Sequence, residues 1–220
     1  MVNAMSHRAV LWDLDGTLVD SEEFHWLSWR DTIREEGIDL SYDQFLGSFG
    51  QRNDRILTTW LGEGIDRARM EKIGDTKEAE YRRLAETRGL KPLPGAREWL
   101  AALRNAGWKQ AIASSAPRLN VQTMLRVLDL EQYLDAIVSA EDVTIGKPDP
   151  RVFLTAAAKL GVPPSRCVVV EDAAAGVEGA RRGGMKSIGV TKNGTLDADL
   201  FVRSLSDLPP DAFERLLTSG

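Results

Sequence analysis

The spacing of apolar and polar positions changes character twice along the chain. Near the start, Ala9-Val10-Leu11-Trp12 is a short unbroken apolar run that ends on Asp13 and the turn-forming pair Asp15-Gly16. It predicts a buried parallel strand that delivers carboxylates at its C-terminal end. From Glu22 to about Arg88 there is no strong strand signal, and apolar residues recur at helical spacing: Phe24, Leu27 and Ile33, then Ile56, Leu57, Trp60 and Leu61. Turn-prone stretches at Gly47 to Gly50 and Gly62 to Gly64 divide this segment, and Gly89-Leu90-Lys91-Pro92-Leu93-Pro94-Gly95 closes it. Beyond Pro94 helix and strand alternate. A helix with Trp99, Leu100 and Leu103 precedes Ala111-Ile112-Ala113, and one around Val121 to Leu128 precedes Ala136-Ile137-Val138. A third, from about Arg151 to Leu160, leads into Val168-Val169-Val170, and Ala173 to Arg182 leads into Ser187-Ile188-Gly189-Val190. Leu200-Phe201-Val202 and Asp211 to Leu217 add a short strand and a last helix.

This rhythm predicts an α/β fold: a doubly wound, parallel, Rossmann-like sheet with right-handed crossovers. The core is expected to be split, roughly residues 1–20 plus 91–220, with a small all-helical cap, residues 21–90, inserted after the first strand. In such sheets ligands bind beyond the carboxyl ends of the strands, where the strand order reverses. An insertion after the first strand would sit over that crevice as a candidate lid.

Composition narrows the function classes. At 220 residues, 43% hydrophobic and 28% charged, the chain can bury a sizeable core and is not disordered in character. The 33 acidic and 28 basic residues are mixed along it, with no Lys/Arg-rich block, so a nucleic-acid partner is not expected. Cys167 is the single cysteine, in an apolar run, and reads as a packing residue. The stretch MVNAMSHRAV has no long apolar segment, and nothing approaches the roughly 18 apolar residues of a membrane span. A cytoplasmic enzyme without membrane attachment, a monomer or weak dimer, is the default expectation.

Four elements carry candidate chemistry. In extended backbone, side chains two apart point the same way, so Asp13 and Asp15 can face one pocket, one attacking phosphorus and the other moving protons. Alone, such a pair is equally a divalent-cation site or a turn. Ser114, at the end of Ala111-Ile112-Ala113, offers a hydroxyl, and the N–H groups beside it, with Ser115, can hold phosphate oxygens; a helix cap or turn is the plainer reading. Lys147 lies in Gly146-Lys147-Pro148-Asp149-Pro150, a loop stiffened by proline at the start of a helix. Most single lysines are solvated. Glu171-Asp172 ends the strongest strand, where unpaired buried carboxylates are costly and metal ligation would relieve the cost. Oxygen donors without a Cys or His cluster favour Mg²⁺ over zinc.

In this order, Asp13-Leu14-Asp15-Gly16-Thr17, Ser114, Gly146-Lys147-Pro148 and Glu171-Asp172, the chain resembles the haloacid dehalogenase superfamily. The resemblance covers nearly the whole chain, including the helical insertion and the linker Pro92-Leu93-Pro94-Gly95. It implies that Asp13 is nucleophile and metal ligand, and that Asp15 is general acid/base and lends its backbone carbonyl to Mg²⁺. Ser114 and Lys147 would hold the transferring phosphoryl group, and Asp172, with Glu171 in or near the outer shell, would complete the metal site.

Within the superfamily the chain is similar to the β-phosphoglucomutase-like branch and its sugar-phosphate phosphatase relatives. That likeness sets His25 where the mutases have a cap-hinge histidine touching the acid/base, although Phe24, Trp26 and Trp29 around it also suit plain helix packing. The mutases grip a second phosphate with a cap Lys-Gly and a following arginine. Aligning on Gly50 puts Phe49 at the lysine position and Asn53 near the arginine position, with Arg52 adjacent. Lys77 matches a cap lysine of the family or else faces solvent. The expected reaction is Mg²⁺-dependent hydrolysis of a small phosphorylated metabolite, with Phe49, Arg52, Asn53 and Trp26 as candidate specificity contacts. A phosphosugar mutase is the alternative. A hydrolytic dehalogenase needs neither Asp15 nor the metal, and a silent binding protein would be expected to have lost a core residue.

Overall fold

A computed structural model describes residues 8–218. Six parallel strands form one sheet in the order β3-β2-β1-β4-β5-β6: β1 (Ala9–Trp12), β2 (Lys109–Ala113), β3 (Ala136–Val138), β4 (Cys167–Glu171), β5 (Lys186–Val190) and β6 (Leu200–Val202). All four residues of β1 are buried, because the strand is paired on both edges, Trp12 lying beside Ile112 on one side and Val170 on the other. A strand covered on both faces reads as a continuous apolar run, which explains the pattern at the start of the sequence.

Alternate strand residues serve opposite faces. Val10, Trp12, Ile112, Val168 and Val170 pack with Leu100, Leu103, Trp108, Met124 and Phe213. These come largely from α5 (Ala96–Asn105), α6 (Arg118–Val127) and α9 (Ala212–Thr218). Ala9, Leu11, Ala111, Ala113 and Val169 pack on the other face with Val152, Phe153, Ala156 and Ala157 of α7 (Arg151–Leu160), and α8 (Ala174–Arg182) adds Ala180. The predicted doubly wound parallel sheet with a helical insertion is thus the observed fold.

The insertion consists of α1 (Glu22–Glu35), α2 (Tyr42–Leu46), α3 (Asn53–Leu61) and α4 (Arg67–Arg88). Trp29, Ile33, Leu40, Phe45, Ile56, Leu57 and Ile73 form a core of its own. The chain enters and leaves it side by side: Asp20 N–H donates to Lys91 O and Leu93 N–H to Leu18 O, at 3.0 and 2.9 Å, around an antiparallel bridge between Val19 and Pro92. α4 also lies along α6 of the core, where the Tyr81 hydroxyl meets Met124 Sδ at 2.9 Å. Among the described residues no helix is long and apolar enough to cross a membrane.

Candidate active site

β1 and β4 are neighbours at the point where the strand order reverses, so the segments leaving their carboxyl ends meet in one crevice. Asp13 comes directly after β1, is buried, and donates its N–H to Val170 O at 3.0 Å. Glu171 and Asp172 end β4. Lys147, from the loop before α7, donates to Asp13 Oδ1 at 2.5 Å and to Glu171 Oε1, with the Phe153 ring 5.1 Å from its Nζ. The second oxygen of Glu171 accepts the Ala173 N–H at 3.1 Å, beside the start of α8. Gly176 makes room for this side chain, because a Cβ there would stand 1.9 Å from Glu171 Cδ.

Carboxylate oxygens of Asp13, Glu171 and Asp172 lie within 4.8 Å of one another. Three acids thus crowd together with one ammonium, which pairs with Asp13 and Glu171. Burial pushes the Asp13 carboxyl up to about 7, with the Lys147 charge opposing and the Glu171 charge adding. Burial and the charges of Asp13 and Glu171 raise Asp172 well above the usual carboxylate range. Asp172 has no hydrogen-bond or ion-pair partner among the described residues. A cation bound by hard oxygen donors would remove this excess of negative charge, and the donor set suits a Mg²⁺-sized ion better than zinc. Gly16, at φ +77°, lets the loop after β1 pass close by: a Cβ on it would lie 2.1 Å from Asp172 Oδ2.

The Asp15 carboxylate lies outside that cluster and turns toward the insertion. Its Oδ1 accepts from Ser21 Oγ at 2.6 Å and lies 3.0 Å from His25 Nε2. Burial alone would raise the Asp15 carboxyl, but the His25 imidazole, the Ser21 hydroxyl and the charge of Lys77 together hold it below its ordinary value. The His25 ring stacks on Tyr81 at 4.2 Å and meets Phe49 edge-on at 5.7 Å. Lys77 Nζ is 2.8 Å from His25 Nδ1 and is fully buried, so the solvent-facing alternative for this lysine does not hold.

The other candidate residues fall into two groups. Ser114 is buried, its N–H donates to Val138 O, and its Oγ accepts the Ala116 N–H at 3.0 Å, which leaves the hydroxyl proton for another acceptor. Ser115 beside it is half-buried. In the insertion, Arg52 reaches the core and donates to Ala140 O and Val143 O, both at 3.3 Å, with its stem against Gly146. Asn53 donates to Glu78 Oε1 at 2.7 Å. Phe49 and Trp26 both pack on Phe45, at 5.6 Å, and Gly50 takes φ +80° in the turn between α2 and α3.

Three participants escaped the sequence reading. Ser21 has the type and place of a helix N-cap, yet its side chain makes no cap hydrogen bond and serves Asp15 instead. Glu78 sits next to Lys77 in a charge-rich helix, where it resembles a solvated residue. Asn120 lies in the first turn of α6. Only the appearance of Ser21 just ahead of a helix and six residues after Asp15 offered any signal.

A parallel sheet with an acidic, lysine-bearing crevice at its switch point, and a helical insertion reaching into that crevice, defines a Rossmann-like enzyme class. The chain belongs to the haloacid dehalogenase-like hydrolases, whose family model matches residues 7–184. It is 34% identical over 212 residues to a β-phosphoglucomutase of Bacillus subtilis, covering 91% of each chain. It is 33% identical over 189 residues to hexitol phosphatase B of Escherichia coli, covering 82% of each. The solved structure of a β-phosphoglucomutase from Clostridium difficile superposes with a TM-score of 0.85 at 26% identity, over 97% of this chain and 98% of that one.

Proposed function

We propose that the protein is a Mg²⁺-dependent phosphatase that hydrolyses a small phosphomonoester, a sugar phosphate or similar metabolite, through a phosphoryl group carried on Asp13. The observation that carries this reading is the pairing of Asp13 with Lys147 inside a three-carboxylate cluster, with Asp15 held apart by its own donors. A carboxylate oxygen of Asp13 attacks phosphorus and displaces the leaving oxygen. Lys147 offsets the repulsion between the two anions, and the Ser114 hydroxyl and neighbouring N–H groups take up phosphate oxygens. Asp15, ionised in the resting site, takes up a proton as substrate binds and gives it to the leaving oxygen, then as carboxylate takes a proton from the water that releases phosphate. Mg²⁺, held by Asp13, Asp172 and the backbone carbonyl of Asp15 with Glu171 behind, would neutralise charge on the transferring group. Residues 21–90 act as a cap on a core of residues 1–20 and 91–220; they open about the paired linkers to admit substrate and close to exclude water.

Hydrolysis is favoured over mutation by how the cap cations are used. A mutase must grip a second phosphate. Phe49 offers no charge, Arg52 is engaged by core carbonyls, Lys77 is buried against His25 and Glu78, and Asn53 is bound to Glu78. The second reading, a phosphosugar mutase, draws on the likeness to the Bacillus subtilis enzyme. Phosphate release from a panel of phosphorylated metabolites, with and without Mg²⁺, tests the proposal. The panel includes β-glucose 1-phosphate with catalytic bisphosphate. Metal-dependent release supports hydrolysis, whereas faster conversion to glucose 6-phosphate would replace it with mutation. Metal-independent chloride release from a haloacid would make the protein a dehalogenase, and no turnover at all a silent binding protein.

A further inference from the structure

Behind His25, side chains from three helices close around one buried carboxylate. Glu78 of α4 accepts from Asn53 of α3 at 2.7 Å and from Lys77 at 3.0 Å, and its second oxygen accepts from Asn120 of α6. Arg82, one turn further along α4, donates to Asn120 Oδ1 at 2.8 Å. Glu78 is 5% exposed and Lys77 1%. An ion pair buried this deeply adds little net stability, because desolvation consumes most of the attraction, and its best-attested use is to fix one arrangement among several.

The arrangement it fixes is that of an imidazole. An ammonium has donors only, so Lys77, 2.8 Å from His25 Nδ1, requires that nitrogen to accept. The ring proton then sits on Nε2, 3.0 Å from Asp15 Oδ1, and is donated to it. Tyr81 and Phe49 hold the ring plane. Glu78 in turn accepts from Lys77 and, through Asn53 and Asn120, ties the lysine to α3 on the insertion side and α6 on the core side.

We infer that Glu78 is a positioning residue: by anchoring the Lys77 ammonium it sets His25 in its Nε2–H tautomer and so orients Asp15. Its catalytic meaning rests on the proposed acid/base role of Asp15; the tautomer itself does not. A Glu78 with no hold on the ring through the Lys77 ammonium would leave the tautomer unchanged when its charge is removed.

The chain has two histidines, His7 and His25, so a long-range ¹H–¹⁵N correlation spectrum of the imidazoles resolves both, with His7→Gln as the assignment control. The expected parent spectrum shows His25 with an unprotonated Nδ1 and a protonated Nε2. Glu78→Gln is expected to give a mixed or Nδ1–H ring. In the same variant kcat on p-nitrophenyl phosphate should fall about 10-fold with KM within about two-fold, as expected for lost orientation rather than lost binding. Lys77→Met combined with Glu78→Gln removes both charges together and is expected to lose the tautomer preference too, which keeps the test available if the single variant does not fold. A parent ring that is Nδ1–H or doubly protonated, or a folded variant with the parent pattern, overturns the inference. The spectrum needs no turnover, so absence of phosphatase activity would defeat the proposed function while leaving this result to be judged separately.

Discussion

At the scale of single residues, the site divides its carboxylates by neighbourhood. Burial, helped by the Glu171 charge and opposed by Lys147, raises Asp13 to about 7, while Asp15, two residues on, has two donors on one oxygen and is lowered despite its burial. In the proposed function the first arrangement would hold a cation and the second would carry a proton. Asp15→Asn should therefore cut kcat by about 10² to 10⁴, the range of a lost general acid/base, while leaving the half-saturating Mg²⁺ concentration near the parent value. A loss that extra Mg²⁺ restores would assign Asp15 to metal binding instead. Gly16→Ala should do the reverse. Its Cβ would lie 2.1 Å from Asp172 Oδ2 on a backbone at φ +77°, so Asp172 must move. A rise of about 10-fold in half-saturating Mg²⁺ is expected, with an unchanged far-ultraviolet dichroism spectrum. An unaltered Mg²⁺ dependence would remove Asp172 from the ligand set.

At the scale of elements, stability depends on how helices seat on the sheet. Phe213 of α9 is fully buried, its ring within 6.0 Å of Trp12, 5.2 Å of Trp99 and 5.9 Å of Trp108. Phe213→Ala leaves a cavity between α9 and β1 and should cost about 3–5 kcal/mol in urea unfolding. A value below about 1 kcal/mol would mean that α9 is not needed to cover this face. After β3, Asp142 accepts from Ser139 N and Oγ and from Lys159, and pairs with Arg118. Burial opposes ionisation there, but these donors lower the carboxyl to about 2 from an ordinary 3.8. Because the folded value is depressed, the stabilisation is complete above 3.8 and is lost as pH falls through about 2. Asp142→Asn should thus unfold at lower urea than the parent near neutral pH, with the gap closing as the pH approaches about 2. A gap that stays constant over that range would locate the stabilisation elsewhere.

The elements themselves were largely legible in the sequence, since buried parallel strands are apolar runs and the crossovers carry helical periodicity. The expected Arg151 to Leu160 helix and the strands Ala9 to Trp12, Ala136 to Val138 and Leu200 to Val202 coincide with the observed elements, and the other boundaries differ by a few residues. In α1 the buried face carries Ser28, Trp29, Thr32 and Ile33 rather than the full Phe24, Leu27, Ile33 stripe. Helical spacing cannot say which apolar side faces a core when both an insertion core and the main core compete: Phe24 packs toward the main one. Polar burial was the harder part. Nothing local distinguishes Lys77-Glu78, sealed between α3 and α6, from the exposed charges along the same helix, because what buries them lies in other segments.

At the scale of the whole molecule, the candidate site draws on both the sheet and the helical insertion. β1, β4 and the loop before α7 supply Asp13, Glu171, Asp172 and Lys147, while α1 and α4 supply His25 and Lys77 to Asp15. Arg52 joins the insertion to the carbonyls of Ala140 and Val143, a few residues before Lys147. This shared construction matters only if Asp13 takes the phosphoryl group. Rapid acid quench of the enzyme turning over p-nitrophenyl phosphate with Mg²⁺, followed by mass spectrometry of the peptide containing Asp13, measures that directly. The account predicts a hydroxylamine-labile phosphoryl adduct on Asp13 that is lost without Mg²⁺ and in Asp13→Asn. Phosphate release with no such adduct, or undiminished release by Asp13→Asn, would contradict it.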